Sequence, residues 1–284
     1  MSNETAQPKS DDRQRAKDKR PQLLTVRTVE TLTPQMVRIT FDGAVFGDLP
    51  CSDHYLKFLF PPAGADYEPG FDPEQIQASR PKELWPVTRT YTIRDYADGV
   101  LTVDFVTHGD EGLAGPWARA AKPGDRIAIK GPGGTWQPSA DTPNVLLIGD
   151  ESAVPAIARA LEYASADSRV LVFCESSDAE TEVELPDHPR AEVRWVHRPA
   201  GTIHGTALAE AVLAADLPAD ADAFVHGNAL MIKELRRHLF VDLGLDKKRT
   251  SISGYWRTGH TDEQWRASKK EFNAQLEAEE AAAR

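Results

Sequence analysis

Cysteine is nearly absent. Cys51 and Cys174 are the only two in 284 residues, far apart and in no Cys-x-x-Cys pair. That excludes a disulfide framework and leaves too few thiolates for a structural zinc site or a protein-ligated iron–sulfur cluster. Both thiols are expected to be reduced, and no metal site is expected. Long apolar runs are missing too. None approaches the ~20 residues that cross a bilayer. The first residues carry charge with no apolar stretch behind it, so no secretory signal is expected and the protein is placed in the cytoplasm. A basic excess is also lacking. The net charge of −11 argues against a nucleic-acid partner, which needs a broad basic surface. It leaves room for a local basic pocket. Finally, the chain has no Gly-x-Gly-x-x-Gly, which sets aside the common dinucleotide fingerprint.

What is present reads as a globular chain. Forty per cent of the residues are hydrophobic, enough for a sizeable core, and the length suggests about two domains. Residues 1–20 are polar and charged, and are expected to form a disordered tail. Residues 21–139 are rich in alternating segments: Leu24–Val29, Met36–Phe41, Tyr55–Phe60, Arg89–Arg94, Val100–Thr107 and Asp125–Lys130. Six such strands with turn signals between them predict a small antiparallel β-barrel. A Pro/Gly-rich insertion over 61–88 carries one short helix, Pro73–Ser79.

The texture changes at residue 144. Val145–Ile148, Arg169–Cys174, Ala191–Val196, Ala223–His226 and Thr250–Ser253 are short apolar runs that alternate with helix-period segments. This predicts a doubly wound parallel α/β domain over 144–256. The extension over 257–284 is expected to hold a helix opened by a Thr261/Gln264 capping box. Its acidic end, Glu277 to Glu280, is expected to be solvated or frayed.

Three stretches carry chemistry. In Arg89-Thr90-Tyr91-Thr92-Ile93-Arg94, strand alternation sets a guanidinium fork beside a flat aromatic surface. A ligand with a diphosphate and a large planar ring suits it, and FAD is such a ligand. His108 to Gly124 is a glycine-rich turn feeding a short helix near Pro116, whose free N–H groups favour phosphate. Gly149–Ser152 and Gly227-Asn228-Ala229 fall at the carboxyl ends of predicted parallel strands, where such sheets bind ligands.

Together with Gly131-Pro132, Leu235-Arg236-Arg237 and Gly254-Tyr255-Trp256-Arg257-Thr258-Gly259, these motifs resemble, in order, those of siderophore-interacting proteins. These are ferric-siderophore reductases of the ferredoxin–NAD(P)H reductase superfamily. The resemblance spans about residues 21–270 and implies a flavin barrel followed by an NAD(P)H domain. It implies that Arg89 holds the FAD diphosphate, Tyr91 packs on the isoalloxazine, and Thr92 hydrogen-bonds near its reactive nitrogen, with Thr90 and Arg94 in the same motif. Asp104, Phe105, Val106 and His108 would line the ribose–adenine side. Ala114, Gly115, Pro116 and Trp117 would complete the diphosphate cradle. Gly149, Asp150, Glu151, Ser152, Gly227 and Asn228 would meet the nicotinamide nucleotide.

Lys57 and Arg257 match two members of a basic cluster for an anionic ferric siderophore. The family's arginine is missing from the Gly131-Pro132-Gly133-Gly134 turn, with Lys130 as a substitute. Lys269 and Lys270 would join from the last helix. NADH, NADPH and a ferredoxin remain open as donors, with Ser176, Ser177, Arg198 or Lys233 placed to read a 2′-phosphate. The alternatives are a non-catalytic siderophore-binding protein and a flavin- or ferredoxin-type reductase.

Overall fold

The computed structural model describes residues 21–107 and 112–283. Two sheets organise it. The first is antiparallel and contains β1 (Gln22–Thr33), β2 (Met36–Asp42), β3 (Tyr55–Phe60), β4 (Val87–Thr92), β5 (Asp95–Ala97), β6 (Val100–Val106) and β7 (Arg126–Gly133), in the order β4-β3-β7-β1-β2-β6-β5. All six expected strands form. The seventh, β5, is a three-residue arm of a hairpin closed by Asp98, at φ 53°, and Gly99, too short for alternation to reveal. Strand alternation buries Leu24, Ile39, Phe41, Leu56, Phe58, Leu101 and Phe105 as one core. Its centre is a phenylalanine cluster, with the Phe58 and Phe105 rings 5.3 Å apart. Helix α1 (Pro73–Ser79) falls in the 61–88 insertion as expected, capped by Asp72. Helix α2 (Ala114–Ala120) follows β6.

The second sheet is wholly parallel: β8 (Asn144–Gly149), β9 (Arg169–Ser176), β10 (Ala191–His197), β11 (Ala221–Asn228) and β12 (Thr250–Trp256), ordered β10-β9-β8-β11-β12. Its central strands are largely apolar because helices cover both faces. Helix α3 (Val154–Tyr163) packs Ile157 and Leu161 on one face, beside Trp136 and Phe224. Helices α4 (Thr206–Leu213) and α5 (Ala229–Arg237) pack Leu208, Val212, Ile232 and Leu235 on the other. After Arg237, helix α5 passes into a π-turn over His238–Asp242. The chain order reverses between β8 and β11, so a crevice opens at their carboxyl ends.

Helix α6 (Asp262–Ala282) begins at the expected Thr261/Gln264 capping box. Trp265 is buried and its indole N–H donates to the Gly254 carbonyl at 3.3 Å. A Cβ on Gly254 would lie 2.9 Å from both Ala229 and the Trp265 ring, so only glycine lets the helix dock. At the acidic end of α6, Glu277 and Glu279 are exposed as expected, and Glu280 is the exception. Glu280 is buried and paired with Arg236 and Lys247, partners supplied by distant segments. No helix among the described residues is long and apolar enough to cross a membrane.

Candidate functional site

Strand β4 carries the first group of expected site residues. Tyr91 lies 4.4 Å from the Phe105 ring and edge-on to Phe58 at 5.8 Å; burial pushes its hydroxyl pKa up. Thr92 is buried and pairs with Tyr55, while exposed Thr90 pairs with Lys57. Arg89 is already engaged. Its Nη1–H groups donate to Glu263 at 2.7 Å and Asp262 at 3.3 Å, in the first turn of α6, and to the Thr88 carbonyl at 3.0 Å. Arg94 makes a two-pronged ion pair with Glu162 of α3, at 2.8 and 3.1 Å. Sequence reasoning missed both sets of partners, which come from elements more than sixty residues away.

On β6, Asp104 is buried and grips Arg38 of β2 through bonds of 2.7 and 2.9 Å. Phe105 is in the core and Val106 is half-buried. His108 lies outside the described residues. Just before it, Thr107 is 1% exposed and its hydroxyl has no partner among the described residues. Ala114, Gly115, Pro116 and Trp117 form the first turn of α2, with the Trp117 ring 5.6 Å from Phe60 and 5.8 Å from Phe105.

The crevice of the parallel sheet is built around Asp150. Its carboxylate accepts from Asn228 N–H (2.7 Å), the Trp256 indole N–H (2.8 Å), and the Ser152 N–H (3.0 Å) and hydroxyl (2.5 Å). Burial and the neighbouring Glu151 raise its pKa to about 6, against the pull of those donors. Gly227 sits at φ 139°, and a Cβ there would lie 2.6 Å from the Asp150 carboxylate, so the approach requires glycine. Gly149 ends β8. The Asn228 amide donates to Thr258 Oγ1 (2.7 Å) and the His204 carbonyl (3.0 Å). Glu151 and Glu175 share Arg198, whose Nη1 reaches them at 3.0 and 2.8 Å. The pairing of Asp150 with Trp256 was not legible, although both residues lie in motifs.

Among the basic residues, the structure brings Lys57 and Lys130 together as register partners across β3 and β7. Arg257 stacks over Phe272 of α6 at 5.3 Å. Lys269 is half-buried, donates to Ser253 Oγ at 2.9 Å, and has its pKa lowered by burial and by Arg266. Lys270 is exposed on the same helix.

The structure thus sets an antiparallel sheet carrying an aromatic-and-arginine strand before a parallel sheet with an open switch point. Ferredoxin reductases share this arrangement at 10–18% identity with TM-scores of 0.59–0.61, a likeness of fold alone. Sequence comparison is more specific. Residues 25–136 match the siderophore-interacting FAD-binding domain, and residues 142–259 match the siderophore-interacting protein model. The chain belongs to the siderophore-interacting protein family.

An uncharacterised protein of Mycobacterium tuberculosis is 37% identical over 268 residues, covering 87% of this chain and 93% of that protein. The ferric vibriobactin reductase ViuB of Vibrio cholerae is 27% identical over 254 residues, covering 86% and 92%. The crystal structure of the siderophore-interacting protein SipS from Aeromonas hydrophila superposes with a TM-score of 0.77 at 27% identity, covering 90% of this chain and 99% of that one.

Proposed function

We propose that this protein is a flavin-dependent ferric-siderophore reductase of the cytoplasm, passing electrons from NAD(P)H through FAD to siderophore-bound iron(III). Residues 21–139 form its flavin domain and 144–256 its nucleotide domain. The Tyr91–Phe105 contact and the Arg94 N–H to Thr102 carbonyl bond of 2.9 Å support closure of the first sheet into a barrel between β4 and β6.

The residues present fit FAD. Thr107 offers a buried, unpartnered hydroxyl beside the expected ribose–adenine stretch. Arg89 brings a guanidinium, the group type that binds a diphosphate, to the flavin strand, where Asp262 and Glu263 hold it. Arg89 and the Ala114–Trp117 turn would hold the diphosphate, Tyr91 and Thr92 the ring, and Asp104 to His108 the ribose. FAD supplies the conversion of two-electron hydride delivery into the single-electron steps iron needs.

The observation that carries the reading is the lysine pair. Like charges directly opposite in a sheet are destabilising, and neither Lys57 nor Lys130 has a carboxylate partner among the described residues. Such a pair is explained by an anionic ligand, and an oxygen-rich ferric chelate is one. Lys57 borders Thr90 of the flavin strand, which would seat the chelate beside the ring. Arg257, Lys269 and Lys270 would add charge from the α6 side. Iron(III) is a hard cation that such oxygen ligands hold firmly, and reduction weakens the hold.

The test is an anaerobic visible spectrum. A yellow protein that bleaches with a nicotinamide nucleotide and recovers its colour on adding a ferric siderophore, with iron(II) trapped, is expected. Bleaching by a reduced ferredoxin alone would transfer the donor role to that protein. A colourless protein that cannot be loaded with FAD would overturn the reading.

A further inference from the structure

Resting on the reading of the β8/β11 crevice as the nicotinamide-nucleotide site, we propose that the donor is NADH. Arg198, held inward by Glu151 and Glu175, leaves the site without a cation for the 2′-phosphate of NADPH. In a sheet of this order the adenosine ribose lies at the carboxyl end of the strand after the phosphate-binding turn. An acid or an arginine there decides which 2′ group is accepted. Here that strand is β9, ending in Glu175 and Ser176 and followed by Ser177 and Asp178.

Arg198 follows β10, directly beside this end, and is the residue whose type fits a phosphate. Carboxylates hold it through Nη1, while its Nη2 donates to Ser177 Oγ at 3.4 Å. Its guanidinium is largely buried against Glu151, 5% exposed, and Glu175, 0% exposed. Glu175 also accepts the Gly205 N–H at 2.9 Å, which fixes the carboxylate at the start of α4. Swinging Arg198 outward would strand two buried carboxylates without their counter-ion, a heavily unfavourable change. The other candidates are committed as well. His197 pairs with Glu182 at 2.7 Å and Lys233 with Glu279 at 3.4 Å. The Ser177 hydroxyl donates to Gln35 at 2.9 Å. Asp178 adds another carboxylate, which accepts the Glu180 and Thr181 N–H groups. A neutral 2′-hydroxyl is tolerated in this acidic setting, and a dianionic phosphate is repelled.

The experiment is calorimetric titration of FAD-loaded protein with NAD+, NADP+, 5′-AMP and 2′,5′-ADP, which reads binding without turnover. NAD+ and 5′-AMP are expected to bind roughly tenfold or more tightly than their 2′-phosphorylated counterparts. Glu151→Gln, which removes one of the two carboxylates on Arg198, is expected to narrow that gap by improving NADP+ and 2′,5′-ADP binding. If the variant fails to fold, the wild-type fragment ratio still decides. Equal or tighter binding of NADP+ by the wild type, or a gap left unchanged in a folded Glu151→Gln, overturns the proposal and leaves the crevice reading intact. Binding of none of the four ligands overturns the crevice reading and the proposal with it.

Discussion

His226 and Asp150 sit side by side in the sheet, one at the end of β11 and one just past β8, and they titrate in opposite senses. His226 is buried against Phe224 with a ring separation of 3.9 Å, and only its Nε2 finds a partner, Ser251 Oγ at 2.9 Å. Burial lowers its pKa from 6.5 to about 3. Unfolded chains take up that proton first, so the stability present above pH 6.5 is lost as pH falls toward 3. Asp150 has its pKa raised from 3.8 to about 6. It therefore favours the folded state as pH falls through that window. The two effects oppose each other at about 1.4 kcal/mol per pH unit each. In His226→Gln the histidine contribution is gone. Urea unfolding from about pH 7 to about pH 4.5 should then show the variant losing less stability on acidification than the wild type. An unchanged pH profile would contradict the assignment. The lysine pair gives a second prediction at this scale. Lys57→Gln should raise stability by roughly 0.2–1 kcal/mol by relieving the repulsion, while raising KM for an anionic ferric chelate and leaving FAD content alone. Lys57 is exposed between buried Leu56 and Phe58, as strand alternation requires. The register that sets Lys130 opposite it depends on β3 and β7 pairing across seventy residues, and no local pattern records that.

Helix α6 shows what a single element adds. Its start was legible because a capping box is a local device, and Thr261 and Gln264 do exchange bonds of 2.9 and 3.2 Å. Its docking was not legible, because that depends on Gly254, Ala229 and Trp265 meeting in space. The strands of both sheets were legible for the same local reason: alternation and apolar runs survive in sequence. The extent of the antiparallel sheet was harder, since β5 is three residues long. The first turn of α6 presses Asp262 and Glu263 onto Arg89. If that guanidinium is the diphosphate fork, these acids compete with the cofactor. Glu263→Gln should then tighten FAD binding to the apoprotein several-fold, followed by flavin fluorescence quenching. Arg89→Ala should weaken it, since one charge-assisted bond of about 1.5–3 kcal/mol is lost. Weaker FAD binding in Glu263→Gln would count against the fork. Trp265→Ala, which empties the buried anchor of the helix, should cost about 3–5 kcal/mol in chemical unfolding.

At the scale of the whole molecule, two sheets with separate cores must be held in one relative position if electrons are to cross between their ligands. One contact that does this joins Arg94 to α3. The Arg94 guanidinium takes both oxygens of Glu162. The Arg94 carbonyl accepts from Arg159 Nη1 at 3.3 Å, Arg159 Nη2 donates to the Tyr163 hydroxyl at 2.9 Å, and that hydroxyl donates to the Leu49 carbonyl at 3.0 Å. A cavity of about 390 Å³ lies beside this chain of bonds, lined by Asp48, Asp95 and Tyr96 as well. The motif made Arg94 legible as a site residue, but Glu162 was not, and the pairing changes what Arg94 is expected to do. A cofactor ligand and a latch make different predictions. If Arg94 binds FAD, Arg94→Ala loses flavin and Glu162→Ala does not. If it is a latch, both variants keep their FAD. Each should then slow flavin reduction by the nicotinamide nucleotide to a similar degree, and the double variant should be little worse than either single one. The coupling energy from unfolding of the four proteins should be roughly 0.5–3 kcal/mol. Flavin content across the four proteins, read from their absorbance before any kinetics, separates the two.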